Sequence, residues 1–259
     1  MSIESIFVTR WGSIGPRVLM VHGGAQGSRS GGQETFSRQR QLGDAGWQLV
    51  VPDRPGHGRS ADPGRPDDAQ ADGAWVADMM GDGAHLVGHS FGGCVALAAA
   101  AKRPEAVRSL TLIEPGMQKL ALDQPVVRKL GIKMLATIFF TFSDAKRARR
   151  FVKLVGVPKE FSGRDEAELH AMGRGIKRLK VPDGEELREQ LSTVKRAGIS
   201  LMVVTGGWSP AFEVTADTVA QAGGGRRVVI PSEHHFPNLV SDQFNDTLAA
   251  FMKDSATRV

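Results

Sequence analysis

The sequence predicts an α/β fold, a mostly parallel central sheet flanked by helices and carrying an inserted helical segment. Three observations predict it. Short apolar runs recur at 17–21, 48–51, 84–87, 109–113, 199–205 and 226–230. Several are rich in Val, Ile and Leu without polar alternation, as strands covered on both faces are. Helical patterns lie between them, at 33–45, 67–80, 91–102, 213–222 and 242–253, and strand–helix alternation implies parallel strands joined by crossovers. Between 118 and 196 the alternation stops, and helical patterns follow one another without a strand.

Taken in order, the run at 5–11 predicts one or two antiparallel edge strands ahead of the first parallel strand. The interval 118–196 reads as helices at 125–142, 144–155, 165–179 and 185–194. Asp144 and Asp183 serve there as N-terminal caps or first-turn acids, and Pro158 and Pro182 as breaks. Helices placed after one sheet strand and before the next predict a lid. The organisation is then a core domain in two parts, 1–117 and 197–259, with the lid at 118–196. The apolar stretch 134–140 is read as lid packing rather than as a membrane-dipping segment.

Composition narrows the function classes. An apolar content of 41% with 24% charged residues lies in the globular range. No run nears the roughly 18 apolar residues of a membrane span. The start Met1-Ser2-Ile3-Glu4 has no basic segment leading into an apolar one, so no signal peptide is expected. The lone cysteine, Cys94, excludes an internal disulfide framework and fits a reducing, cytoplasmic setting. It sits in an alanine-rich helix and reads as a small packed side chain.

The net charge is +5, unevenly spread. Residues 118–196 hold 18 Lys/Arg against 10 Asp/Glu, and the rest of the chain 15 against 18. Such an insertion would attract an anionic substrate, surface or partner. No nucleic-acid module, aromatic-interleaved basic stripe or zinc spacing accompanies it, so no nucleic-acid partner is expected. Phosphate-binding glycine patterns are also missing, which argues against a nucleotide site.

The chemistry starts at Gly88-His89-Ser90-Phe91-Gly92, which fits Gly-x-Ser-x-Gly at a strand-to-helix junction. A sharp turn there holds the serine in a strained backbone with its hydroxyl above the sheet, and glycines two residues to either side let the turn close. A serine hydroxyl needs a base oriented by an acid. After the last strand comes Pro231-Ser232-Glu233-His234-His235-Phe236-Pro237. His22-Gly23-Gly24-Ala25 follows an early strand, and Asp53-Arg54-Pro55-Gly56-His57-Gly58-Arg59-Ser60 follows the next.

These four segments, in this order, resemble the α/β-hydrolase family across 17–253, with only the lid lacking recognisable identity. The resemblance implies Ser90 as nucleophile and His235, rather than His234, as base. It implies backbone N–H groups of Phe91 and Gly24 as the oxyanion hole. His22, His57, His85, His89 and His170 are read as turn, packed or solvated residues.

The acid departs from the family pattern. Most members carry aspartate in a Gly-x-x-Asp-Pro arrangement, where this chain reads Gly206-Gly207-Trp208-Ser209-Pro210. Serine cannot charge-balance an imidazolium. Glu114, ending Leu110-Thr111-Leu112-Ile113-Glu114-Pro115, takes the role in our reading, since a subset of the family uses an acid one strand after the elbow. Glu213 in a first helical turn and a site without a third member stay as alternatives.

The implied activity is a serine hydrolase cleaving an ester or lactone of a small molecule through an acyl-enzyme, with no metal or organic cofactor. A carbon–carbon hydrolase, amidase, thioesterase, cofactor-free peroxidase or non-turnover small-molecule receptor remains compatible, as does a membrane-surface lipase resting on the stretch Met134 to Phe140. Substrate identity and oligomeric state stay open.

Overall fold

A computed structural model of the chain describes residues 6–163 and 165–256. Its strands are β1 (Val8–Trp11), β2 (Arg17–Val21), β3 (Gln48–Pro52), β4 (Ala84–His89), β5 (Val107–Ile113), β6 (Leu201–Thr205) and β7 (Arg226–Val229). They form one sheet in the order β1-β3-β2-β4-β5-β6-β7. β1 pairs antiparallel with β3, and every other pairing is parallel. The edge run expected at 5–11 therefore contributes a single strand, with Ser5 outside the described residues.

The parallel strands β2 to β6 are largely buried on both faces, which explains their unalternated sequences, while β7 at the sheet edge is partly exposed. Successive side chains still point to opposite sides. Leu19, Val21, Leu86, Leu110, Leu112 and Val203 join one core cluster, while Val18, Met20, Val87, Ile113, Met202 and Val204 join the other. The first cluster is covered by α3 (Ala69–Met79), α4 (Phe91–Lys102), α8 (Gly184–Arg196) and α9 (Pro210–Gly223). The second is covered by Phe36, by Leu42 of α2 (Arg40–Asp44) and by α10 (Gln243–Ala256).

Local chemistry sets the helix ends. The Asp68 carboxylate caps α3 by accepting from the N–H groups of Gln70 and Ala71. Pro210 stands in the first turn of α9, which therefore starts three residues before the expected 213. The helix expected at 33–45 is broken into α1 (Gly32–Thr35), a 3-10 turn at Ser37–Gln39, and α2. Tertiary bonds account for the break. The buried Gln39 side chain donates to the Asn238 carbonyl and the Asn245 side chain, both at 2.8 Å.

Between β5 and β6 lie α5 (Pro125–Phe139), α6 (Asp144–Leu154), α7 (Glu166–Arg178) and α8. Ser143 caps α6, with Asp144 in its first turn, and Asp165 and Asp183 cap α7 and α8. α8 does not share the place of the other three. Its Leu187, Leu191 and Val194 sit in the main core beside α4 and α9. α6 and α7 form a separate small cluster through Ala145, Ala148, Val152, Leu169, Met172 and Ile176. No helix among the described residues is long and apolar enough to cross a membrane.

The chain is tightly packed where α4 leaves the sheet. All of α4 from Phe91 to Ala100 is buried. A Cβ on Gly92 would lie 2.2 Å from the Val21 carbonyl oxygen and 2.4 Å from that of His22. Only glycine permits this approach. We expect Gly92→Ala to lower stability by about 2–3 kcal/mol, read as a drop in urea midpoint at constant m-value. An unchanged midpoint would contradict this packing account.

Candidate active site

Ser90 occupies the turn between β4 and α4 with φ 56° and ψ −125°. Its N–H donates to the Ile113 carbonyl (2.9 Å), and its own carbonyl accepts from Gly93 (2.9 Å) and Gly116 (3.1 Å). These bonds to the neighbouring strand and the first turn of α4 hold the unusual backbone. Ser90 and Glu114 (φ 46°) are the non-glycine residues with positive φ among the described residues. Strain of this kind, of order 1–3 kcal/mol per residue, persists where the surroundings over-determine it. It falls on the expected nucleophile and the expected acid.

The His22-Gly23-Gly24 segment lies directly against the serine. A Cβ on Gly23 would stand 2.6 Å from Ser90 Cβ, and Gly24 has φ +88°. His22 Nε2 accepts the Arg54 N–H (2.8 Å), so its Nδ1 carries the proton and donates to the Gly23 carbonyl (2.8 Å). Burial, with the charge of Arg54 nearby, holds His22 well below the usual histidine pKa. Phe91 is the first residue of α4, so its N–H has no intrahelical acceptor.

Beneath this loop sits a charge cluster that sequence reasoning missed. Arg54 is fully buried. Its guanidinium pairs with Asp67 and Asp72, reaches the Gly23 carbonyl at 3.4 Å, and lies 4.7 Å over the Phe91 ring. Arg65 closes the cluster on Asp72 (2.5 Å). One cation thus touches both segments expected to supply oxyanion donors. In the sequence Arg54 was only one letter of a turn motif, and nothing there marked it as buried.

His235 and Glu114 are brought together. His235 Nδ1 stands 3.4 Å from Glu114 Oε2, with both side chains buried. Glu114 Oε1 accepts the Gly206 N–H at 2.7 Å, and its own N–H continues the ladder to Val204 (2.8 Å). Further contacts hold the imidazole. The His235 N–H donates to the Gly156 carbonyl (2.9 Å), the His235 carbonyl accepts from His89 Nε2 (2.7 Å), and Phe212 meets the ring edge-on at 4.9 Å. Among the described residues, His235 Nε2 is buried without a hydrogen-bond partner, as are His235 Nδ1 and Glu114 Oε2, whose 3.4 Å contact is not a hydrogen bond. Burial pushes the Glu114 carboxyl up to about 7 and His235 down to about 3. Both shifts favour the pair in its uncharged form.

The other candidates are placed elsewhere. His234 is half-buried, with Nδ1 accepting from the Phe236 N–H (3.2 Å). Glu213 stands in the first turn of α9 and is engaged by Thr205 Oγ1 (2.8 Å), the Gly207 N–H (3.0 Å) and Arg227 (2.8 Å). Ser209 is the N-cap residue of α9, without a side-chain cap bond. Cys94 is buried, and burial pushes its thiol up to about 12. No group of three His, Cys, Asp or Glu among the described residues is arranged to hold a metal ion.

Ser90, His235, Gly24 and Phe91 all border one cavity of about 490 Å³. Its wall is mostly apolar. Ile132, Leu135 and Ile138 come from α5, Phe151 and Val152 from α6, and Met172 and Ile176 from α7. Lys119 and Arg128 also border it, and both are exposed.

Comparison with known proteins gives this arrangement a family. A family model described as the alpha/beta hydrolase fold matches residues 16–153. The chain belongs to the α/β hydrolase fold family. It is 38% identical over 139 residues to lipase LipV of Mycobacterium tuberculosis (52% of this chain, 50% of the relative). It is 34% identical over 134 residues to a 2-hydroxy-6-oxo-6-phenylhexa-2,4-dienoate hydrolase of Burkholderia cepacia (48% and 45%). The chain thus spans about half the length of the curated relatives it matches. Among solved structures it resembles the N-acyl homoserine lactonase AidH complexed with N-butanoyl homoserine (TM-score 0.71, 21% identity, 96% of this chain and 93% of that one). It also resembles the meta-cleavage product hydrolase CumD of Pseudomonas fluorescens IP01 (TM-score 0.70, 15% identity, 96% and 94%). The α/β hydrolase fold extends over nearly the whole chain in these structural matches.

The buried histidines have a consequence for stability. His22, His57, His85, His89 and His235 all lie below the ordinary pKa of 6.5, chiefly through burial, with His85 at about 4 and His89 and His235 at about 3. Below pH 6.5 the unfolded chain binds protons that the folded chain refuses, so stability falls as pH falls. Glu114 acts oppositely between pH 7 and 4.5, because the folded state holds a proton the unfolded state releases. We expect urea midpoints to drop from pH 6.5 to 4.5, with unfolding accompanied by net proton uptake, because the buried histidines outnumber the opposing Glu114. A flat profile would contradict the burial of these rings.

Proposed function

We propose that the chain is a serine hydrolase that cleaves an ester or lactone with an apolar acyl group through an acyl-enzyme. The observation that carries this reading is the shared placement of strained Ser90 and unpartnered His235 Nε2 on one apolar cavity, with Glu114 behind His235 at 3.4 Å. A buried nitrogen lone pair without a donor is what a base awaiting the serine proton requires.

Ser90 Oγ attacks the substrate carbonyl carbon, and its proton passes to His235 Nε2. The amides of Phe91 and Gly24 receive the negative oxygen, and Glu114 balances the imidazolium through the Nδ1 proton. The adduct collapses as the bond to the alkoxide breaks, and the alkoxide leaves with the Nε2 proton. Water then gives a proton to Nε2 and its oxygen to the acyl carbon, Ser90 regains its proton, and the carboxylic acid departs. In a lactone, the alcohol and the acid stay on one molecule. Support comes from relatives named lipase, esterase and lactonase, and from the apolar wall of the cavity. A relative named for dienoate hydrolysis keeps carbon–carbon cleavage as the second reading.

The test is steady-state hydrolysis of short and medium p-nitrophenyl esters. Ser90→Ala should lose at least about 10⁴-fold in kcat, and Glu114→Gln about 10²–10⁴-fold. Glu213→Gln should stay within about 3-fold, because its partners are Arg227 and the start of α9. Loss at Glu213 with Glu114→Gln intact would reassign the acid. Absence of wild-type turnover on every ester would favour the carbon–carbon reading.

The pH profile is a second check. The Glu114 carboxyl, pushed up to about 7, must be ionised to balance the imidazolium. We expect kcat/KM to rise through an apparent pKa near 7 and then level off. That limb should vanish in Glu114→Gln, and its survival there would place the titration on another group.

A further inference from the structure

The outer face of α5 and the turn after it have no partner. On the helix, Ile132, Leu135 and Phe139 recur at spacings of three and four, so they share one face. All three point outward, with Phe139 64% exposed. The turn adds Phe140 at 76% and Phe142 at 96% exposure. Val127 and Leu130 on the opposite side are buried against Ala121, Val155, Ala211 and Phe212. The helix is therefore apolar on its inner and outer faces alike. The expectation that 134–140 serves only lid packing holds for Met134 and Ile138 and fails for Leu135, Phe139 and Phe140.

Charge frames this face with one sign. Arg128, Lys129 and Lys133 lie along α5, and Lys146 opens the next helix. All four are exposed, and none forms an ion pair among the described residues. No acidic residue occurs from 124 to 143. Aromatic rings beside unpaired cations match an anionic bilayer, where rings enter the acyl boundary and cations meet headgroups. A second copy of the chain fits poorly, because a two-fold contact over this face would bring two patches of the same positive sign together. Ile132 and Leu135 are exposed and also border the 490 Å³ cavity. The cavity thus opens on the same face.

We propose that this face of α5, with Phe140 and Phe142, docks on an anionic lipid surface. Docking there turns the cavity mouth toward the lipid, so an apolar molecule dissolved in the bilayer reaches the cavity without crossing water. The docking does not depend on which bond the site cleaves.

The experiment is co-sedimentation of the full chain with vesicles of phosphatidylcholine alone and with 30% phosphatidylglycerol, at about 50 and 500 mM salt. We expect binding to the anionic vesicles at least about 10-fold tighter than to neutral ones, weakening at high salt. Phe139→Ser/Phe140→Ser/Phe142→Ser should abolish binding, and Lys129→Gln/Lys133→Gln should weaken it about 30-fold. None of these five side chains borders the cavity, so circular dichroism and urea midpoints should match wild type and confirm folding. No binding by wild type, equal binding to both vesicles, or full binding by either variant overturns the proposal. So does a concentration-dependent dimer in buffer that the triple phenylalanine variant dissolves, which would make the face a contact between copies.

Discussion

The structure depends on one backbone constraint, the close approach of the start of α4 to the ends of β2 and β4. A side chain on Gly92 would collide with the carbonyl oxygens of Val21 and His22, and one on Gly23 with Ser90 itself. At this separation three things happen together. The serine is held at φ 56°, the α4 N terminus is brought over the sheet, and the Gly23-Gly24 segment is brought against Ser90. Moving α4 outward by the width of a methyl group would relax Ser90 and separate the two segments proposed to supply oxyanion donors. Stability and site geometry are therefore set by the same contact.

The charges follow from that geometry. Bringing two backbone segments together in a dry region leaves the Gly23 carbonyl in need of donors, and His22 and Arg54 supply them. A fully buried guanidinium is tolerable only with paired anions, here Asp67 and Asp72. On the other side of Ser90, burial disfavours charge on Glu114 and His235 alike. Burial keeps the imidazole neutral at rest, and in the proposed mechanism it forms an ion pair with ionised Glu114 only when it takes a proton, which is when a negative oxygen forms nearby. The site thus gains its strongest electrostatic interaction in the charged intermediate rather than in the free protein.

Much of this was legible in the sequence because it rests on local rules. Gly88-x-Ser90-x-Gly92 demands a tight strand-to-helix turn, buried parallel strands demand unbroken Val, Ile and Leu, and His235 follows the last strand. What was not legible depended on distant contacts. The helix at 33–45 broke because Gln39 is bonded to Asn238 and Asn245, some 200 residues away. Arg54 gave no sign of burial, since its carboxylate partners lie 13 and 18 residues on. α8 resembles α5 to α7 in composition, yet Leu187, Leu191 and Val194 belong to the sheet core. Outward and inward apolar residues of α5 follow the same pattern in the sequence, and only packing separates them.

Glu114, as the proposed acid, shows how the fold can accommodate a changed residue. The loop after β6, where most family members carry aspartate, offers Ser209 at a helix cap instead. It still takes part through its backbone, because the Gly206 N–H holds Glu114 Oε1 at 2.7 Å and leaves Oε2 for His235. The positive φ of Glu114 lets the chain turn away at the end of β5 while its N–H stays in the ladder with Val204. The imidazole is then fixed from the remaining sides by His89 and Phe212 and by the Gly156 carbonyl, which belongs to the segment after α6. That last bond runs from the helices roofing the cavity to the backbone of the base. Any displacement of α6 that moves Gly156 must strain or release the His235 loop, so roof and base are mechanically one unit. Had the carboxylate come from the β6 loop, the base would depend on that loop for charge as well as for position. With Glu114 directly after β5, the charge of the proposed triad comes from the end of a sheet strand and only position is shared with the roof.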